Sequence, residues 1–180
     1  FATALTYKTL AGTSFALGAT AVTLASEADN TVFAAGDFVY IRCRHLITAQ
    51  TTEPVAEINK VKSVSGTTIN LVWPLAKEYT KDASDTWGIA NANAHVYENI
   101  TVEGLRFNSA TQRAFVALHL VNFRYRNCRF EGRSGAVHRG RFHWGLDNEF
   151  YLTPNWGTPL WRPYFMAIDT GSCDVWFERN

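Results

Sequence analysis

No run of apolar residues in this 180-residue chain approaches the about 18 needed to cross a bilayer, so no membrane-spanning helix is expected. The opening Phe1-Ala2-Thr3-Ala4-Leu5 lacks the charged start and apolar centre of a secretory leader. Cysteine is scarce: Cys43, Cys128 and Cys173 are odd in number and far apart, which excludes a disulfide framework and a metal-ligand spacing. Charged residues make up only 18 %, and lysine does not occur after Lys81. There is no G-x-S-x-G, no phosphate-binding glycine loop, no H-E-x-x-H and no C-x-x-C, so the chemistries those motifs carry are excluded. No segment repeats with the 3.6-residue helical period, so helix is expected to be minor. Neither a cofactor nor a metal is expected.

What the chain does have is a repeat. Asn99-Ile100-Thr101-Val102-Glu103-Gly104-Leu105-Arg106-Phe107 recurs in the same phase at Asn122-Phe123-Arg124-Tyr125-Arg126-Asn127-Cys128-Arg129-Phe130, 23 residues on. Two weaker copies follow, His143–Phe150 and Asp174–Asn180, at intervals of 20 and 32. Alternating polarity at such a period is the mark of stacked coils, since one coil cannot bury its apolar face alone. The alignment predicts inward columns Ile100/Phe123, Val102/Tyr125, Leu105/Cys128 and Phe107/Phe130/Phe150, with His143 at an inward position. It also predicts outward pairs Glu103/Arg126 and Arg129/Glu149, and an outward column Thr101/Arg124/Trp144/Trp176. An abrupt end inside a coil, and Phe1 where Met would stand, read as a piece of a longer polypeptide.

Three regions are expected: entry strands over 1–35, a small antiparallel β unit over 36–94, and coils over 95–180 with a proline-rich projecting loop at 151–164. Within the second region, residues 55–64 alternate apolar and polar, and Ser65-Gly66 turns them into Thr68-Ile69-Asn70-Leu71, a hairpin. Trp73-Pro74-Leu75 ends it, because proline has no N–H for a ladder.

The run Gly36-Asp37-Phe38-Val39-Tyr40-Ile41, the segment Glu53–Tyr79 and then Asn99–Phe107 resemble the entry region of pectate-lyase-like right-handed parallel β-helix proteins, most of all bacteriophage tailspikes and related virion proteins. The resemblance covers about residues 8–130. It implies an all-β, right-handed parallel β-helix (a solenoid) preceded by the antiparallel unit. It also implies a homotrimer with its helices side by side, assembled with other virion proteins on an extracellular particle made in a host cytoplasm. Members of this superfamily include lyases, hydrolases, adhesins and inert spikes, so fold alone does not assign an activity.

Candidate sites follow from charge and aromatic placement. Between 104 and 146 eight arginines face one acid, Glu131. Such a strip attracts an anion, but the absence of lysine and of a recognition helix argues against nucleic acid. Arginine forks suit sugar carboxylates and indole faces suit sugar rings. Arg124, Arg126 and Trp144, with Trp156, Trp161 and Tyr164 of the loop, are therefore candidate carbohydrate-binding residues; contact with a neighbouring subunit is the competing reading. For catalysis the best carboxyl pair is Asp147 and Glu149, two apart in one coil, among Glu131, Asp169 and Asp174. His138 and His143 beside Arg139 and Arg141 would suit a lyase. The expected function is a virion spike that binds host surface polysaccharide. The alternative is a depolymerase, lyase or hydrolase, acting on an acidic bacterial polysaccharide.

Overall fold

The computed structural model describes residues 5–43, 55–81, 87–152, 166–168 and 173–180. The chain divides into two compact units, Phe1–Val96 and Tyr97–Asn180.

The first unit contains β1 (Lys8–Thr9), β2 (Ser14–Phe15), β3 (Ala21–Thr23), β4 (Phe38–Cys43), β5 (Val55–Ser65), β6 (Thr68–Leu71), β7 (Tyr79–Thr80) and β8 (Gly88–Asn91), with one 3-10 turn at Glu27–Val32. Six strands form an antiparallel sheet in the order β1-β8-β4-β5-β6-β3, and β2 pairs with β7. Strands β1, β2 and β3 all precede residue 36, yet each pairs with a strand beyond it. The β5–β6 hairpin turns where the sequence places it: Ser65 pairs with Thr68, and Gly66 takes φ 52°, a left-handed value that suits glycine. Val22, Val39, Ile41, Val61, Ile69 and Ile89 bury fully in one cluster, each worth about 1.5–3 kcal/mol.

One strand departs from its pattern. Alternation along 55–64 puts Glu57 and Asn59 outward, but both are fully buried. The segment after β6 folds back over that face and supplies their partners. Ala76 N–H donates to Glu57 Oε2 at 2.9 Å, and Asn59 Nδ2 donates to Trp73 O at 2.9 Å and to Glu57 Oε1 at 3.1 Å. A polar strand face is thus sealed by backbone groups that it satisfies.

The second unit contains β9 (Tyr97–Glu98), β10 (Thr101–Glu103), β11 (Arg106–Arg126), β12 (Arg129–Leu146), β13 (Glu149–Leu152), β14 (Met166–Ile168) and β15 (Cys173–Glu178). Every pairing here is parallel: β9 and β10 on β11, β11 on β12, and β13, β14 and β15 on β12. The register reproduces the sequence columns, pairing Val102 with Tyr125 and Phe107 with Phe130, and Phe130 with Phe150. The three phenylalanines stack at 5.0 and 4.9 Å between ring centres.

The change of interval from 23 to 20 has a physical origin. Between β11 and β12 the register shifts twice, at Ser109/Arg113 and at Leu118/Leu120, and each bulge lets β11 absorb extra residues. The longer last interval arises between Gly132↔Leu152 and Ala136↔Met166, and again between His138↔Ile168 and Arg141↔Cys173. Tyr151 and Leu152, expected in the projecting loop, instead extend β13 because Glu131 and Gly132 continue to pair with them; residues 153–164 lie outside the described residues.

Two corner columns bend the coils. Asn99, Asn122, Phe142 and Asp174 have φ of 61, 53, 57 and 56°, and Gly104, Asn127, Asp147 and Arg179 have 67, 51, 52 and 49°. Left-handed backbone costs most side chains about 1–2 kcal/mol, and Asn, Asp and Gly tolerate it best. This is why the repeat opens on Asn and turns on Gly or Asn. Leu105, expected inward above Cys128, is 51 % exposed. It is the first residue of its column and follows directly on the Gly104 corner.

Candidate functional site

Alternation along parallel strands sends every second side chain outward, so two outward columns flank one inward column. Thr101, Arg124, Trp144 and Trp176 lie in register, and so do Glu103, Arg126, Leu146 and Glu178. Between them Val102, Tyr125, Gly145 and Phe177 point into the unit. The two outward columns are walls about 7 Å apart, two residues along a strand. They enclose a groove of about 370 Å³ lined by Arg124, Arg126, Trp144, Leu146, Trp176 and Glu178, with Tyr125 and Gly145 as its floor.

The first wall is a cation–aromatic ladder. The Arg124 guanidinium lies 5.2 Å from the Trp144 ring centre. Trp144 and Trp176 stack at 5.1 Å with their planes 12° apart. Phe142 flanks both at 6.4 and 6.5 Å. Phe142 holds a left-handed φ that a bulky residue rarely adopts, and the strain is retained where it adds an aromatic face to the ladder. Trp176 keeps 46 % of its surface exposed. In the second wall Arg126 donates to Glu103 at 2.8 Å. Gly145 makes this geometry possible: a Cβ there would meet the Tyr125 ring at 2.8 Å and the Phe177 ring at 2.9 Å. No larger residue fits beneath the groove without moving the buried Tyr125.

The charge on Arg124 stands out when the other arginines are traced. Arg106 and Arg129 both hold Glu131, Arg129 reaches Glu149 at 3.6 Å, and Arg141 holds Asp174 at 3.0 Å. Arg179 holds Asp147 at 2.6 Å and Glu178 at 2.5 Å. Among the described arginines of this unit, Arg124 alone has no carboxylate within ion-pair distance; its partner is the Trp144 ring.

The proposed carboxyl pair sits elsewhere. Asp147 and Glu149 line a separate recess of about 260 Å³ with Asn127, Cys128 and Arg129. Arg179 donates to Asp147 through Nε at 2.6 Å and Nη2 at 3.0 Å, which holds this carboxyl below its usual range. Asp147 is therefore a carboxylate at neutral pH and has no proton to deliver. Glu131 is likewise held low, chiefly by hydrogen bonds from Arg106. His143 is fully buried at its inward position, where Nε2 donates to Leu120 O at 3.0 Å. Burial holds its pKa below the ordinary value and so favours the neutral ring. Trp156, Trp161, Tyr164 and Asp169, and the side chains of His138 and Arg139, lie outside the described residues.

The structure thus brings Arg124, Arg126 and Trp144 together, and separates them from Asp147 and Glu149. Sequence reasoning placed Trp176 in the column but passed over Leu146, Glu178 and Phe142. The first two were findable by carrying the Glu103/Arg126 column two coils further. Phe142 was findable as the one aromatic at a corner otherwise held by Asn or Asp.

Stacked parallel strands with an outward groove define an all-β class of protein, and comparison with solved structures agrees. The tailspike protein gp49 of Pseudomonas phage LKA1 superposes with a TM-score of 0.59 at 15 % identity, over 96 % of this chain and 33 % of that one. The tailspike gp61 of Pseudomonas phage phi297 superposes with a TM-score of 0.62 at 15 % identity, over 96 % of this chain and 28 % of that one. The Gp54 tailspike of Acinetobacter baumannii bacteriophage AP22, solved with A. baumannii capsular saccharide, reaches 0.47 at 13 % identity over 92 % of this chain and 34 % of its own. This chain therefore spans about a third of the length of the spikes it is similar to. No family model and no curated protein matches it.

Proposed function

We propose that this chain is part of a virion tail spike whose coils close into a right-handed parallel β-helix of the pectate-lyase-like type, and that it binds host surface polysaccharide in the groove beside Arg124, Trp144 and Trp176. The observation that carries this reading is the ladder itself. A guanidinium free of acidic partners, continued by two stacked indoles with one half exposed, is a surface built for a polar ring with an apolar face. The likeness in fold to phage tailspikes is consistent with it. A homotrimer with other virion proteins as neighbours belongs to the same reading, as does a place on the extracellular particle. Trp156, Trp161 and Tyr164 would extend the sugar surface from the 151–164 segment. Nucleic acid is a poor fit, since four of the five arginines of the strip whose side chains are described are held in internal ion pairs.

A second reading is a depolymerase, a polysaccharide lyase or glycoside hydrolase, favoured by the shared recess of Asp147 and Glu149. One experiment tests both. The protein is incubated with a panel of acidic and neutral bacterial polysaccharides while reducing ends and unsaturated uronates are followed, and retention of each polymer is measured in parallel. Binding abolished by Trp144→Ala and Trp176→Ala without cleavage supports the spike reading. Cleavage lost in Asp147→Asn with Glu149→Gln supports the enzyme. Neither binding nor cleavage of any polymer would sink the sugar assignment.

A further inference from the structure

The groove is electrically polar along the stack. At its β11 end Arg126 is neutralised by Glu103, which leaves the charge of Arg124 uncompensated. At its β15 end Arg179 is shared between two carboxylates, Asp147 and Glu178, so that end keeps one net negative charge, with Glu178 on the groove wall. The two ends lie two strands apart, roughly 10 Å at the strand spacing. The indoles of Trp144 and Trp176 fill the interval.

Resting on the polysaccharide reading above, we propose that this groove selects a polymer of mixed charge: an acidic sugar seated with its carboxylate on Arg124, followed by an uncharged sugar at Glu178. A run of consecutive uronates is rejected, because a second carboxylate two strands further on would face Glu178. A neutral chain is accepted poorly, because it leaves the guanidinium without its fork partner. Glu178 in turn suits hydroxyl or amide N–H donors of an uncharged ring. Selectivity thus arises from one attraction and one repulsion at opposite ends of the same indole platform.

The test uses the purified protein on a surface, challenged with bacterial capsular and O-antigen polysaccharides in two charge classes, neutral and one acidic sugar per repeat, and with polygalacturonate as the homopolyuronate. The expected result is retention of members of the mixed class only. Arg124→Gln should weaken it at least about tenfold, the worth of a charge-assisted hydrogen bond. Raising the salt should also weaken it, because the pair is exposed. Glu178→Gln should raise retention of polygalacturonate and leave the mixed class bound. Both side chains are exposed, so a melting curve suffices to confirm folding. Equal binding of neutral polymers, indifferent to Arg124→Gln, overturns the charge selection while the sugar reading stands. Preferred binding of polygalacturonate, unchanged by Glu178→Gln, does the same. Retention of no polymer in any class overturns both.

Discussion

The two units make a core from strands in opposite ways. In Phe1–Val96 the buried side chains meet across antiparallel neighbours, as Val22 meets Ile69. In Tyr97–Asn180 each core residue meets its counterpart from the next coil, 20 residues away for Phe130 and Phe150. The first core is mainly aliphatic, with Phe33, Tyr79 and Trp87 among its members, and has a sealed polar seam at Glu57 and Asn59; the second is a set of aromatic columns with polar corners. A column makes each residue the floor for one neighbour and the lid for another. Damage at one level is therefore felt at both adjoining levels, whereas the buried side chains of the antiparallel unit share one cluster rather than a stack of levels.

The largest test of that contrast is Phe130→Ala. Phe130 is sandwiched between Phe107 and Phe150, so its loss should cost about 3–5 kcal/mol. Amide exchange should quicken through β11, β12 and β13 and leave Phe1–Val96 protected; protection lost equally in both units would refute the separation. The counterpart in the first unit is Glu57→Ala, which strips a buried acceptor from Ala76 N–H and Asn59, at about 1.5–3 kcal/mol. Its exchange signature should be confined to β5, β6 and the segment after them.

A pH titration separates the units more gently. His143 is held neutral by burial, so its folded pKa lies below the ordinary 6.5. As pH falls below that value the unfolded chain takes the proton first, and stability of the coil unit declines until the folded pKa is reached. His143→Gln should remove this step, as read from unfolding midpoints between pH 7 and pH 5. A second loss is expected in stronger acid, where Asp147 and Glu131 finally protonate and leave their arginines. The smallest effect should come from Glu103→Gln. Its pair with Arg126 is about half exposed, so at most about 1 kcal/mol is lost and salt should erase the difference. A shift as large as that of Phe130→Ala would show that the outer columns, rather than the aromatic ones, hold the coils in register.

Much of this was legible in the chain. The period and phase of the repeat put Val102 over Tyr125 and stacked Phe107, Phe130 and Phe150, because alternation is a local property that each strand carries by itself. The Asn99 and Asn122 corners were written in the same repeat, and their left-handed backbone explains why that residue type stands there. The Arg124/Trp144/Trp176 column followed from the same counting.

Only the tertiary structure decided which of these groups remain available. Which arginine finds a carboxylate depends on side chains one coil away, and that exchange left Arg124 free while its neighbours were neutralised. The burial of Glu57 and Asn59 was decided by a segment that folds back over them, and the two bulges of β11 by how unequal coils share one register. A pattern of apolar and polar residues sets which way a side chain points. What waits for it there is set by residues distant in the chain, and no local period records them.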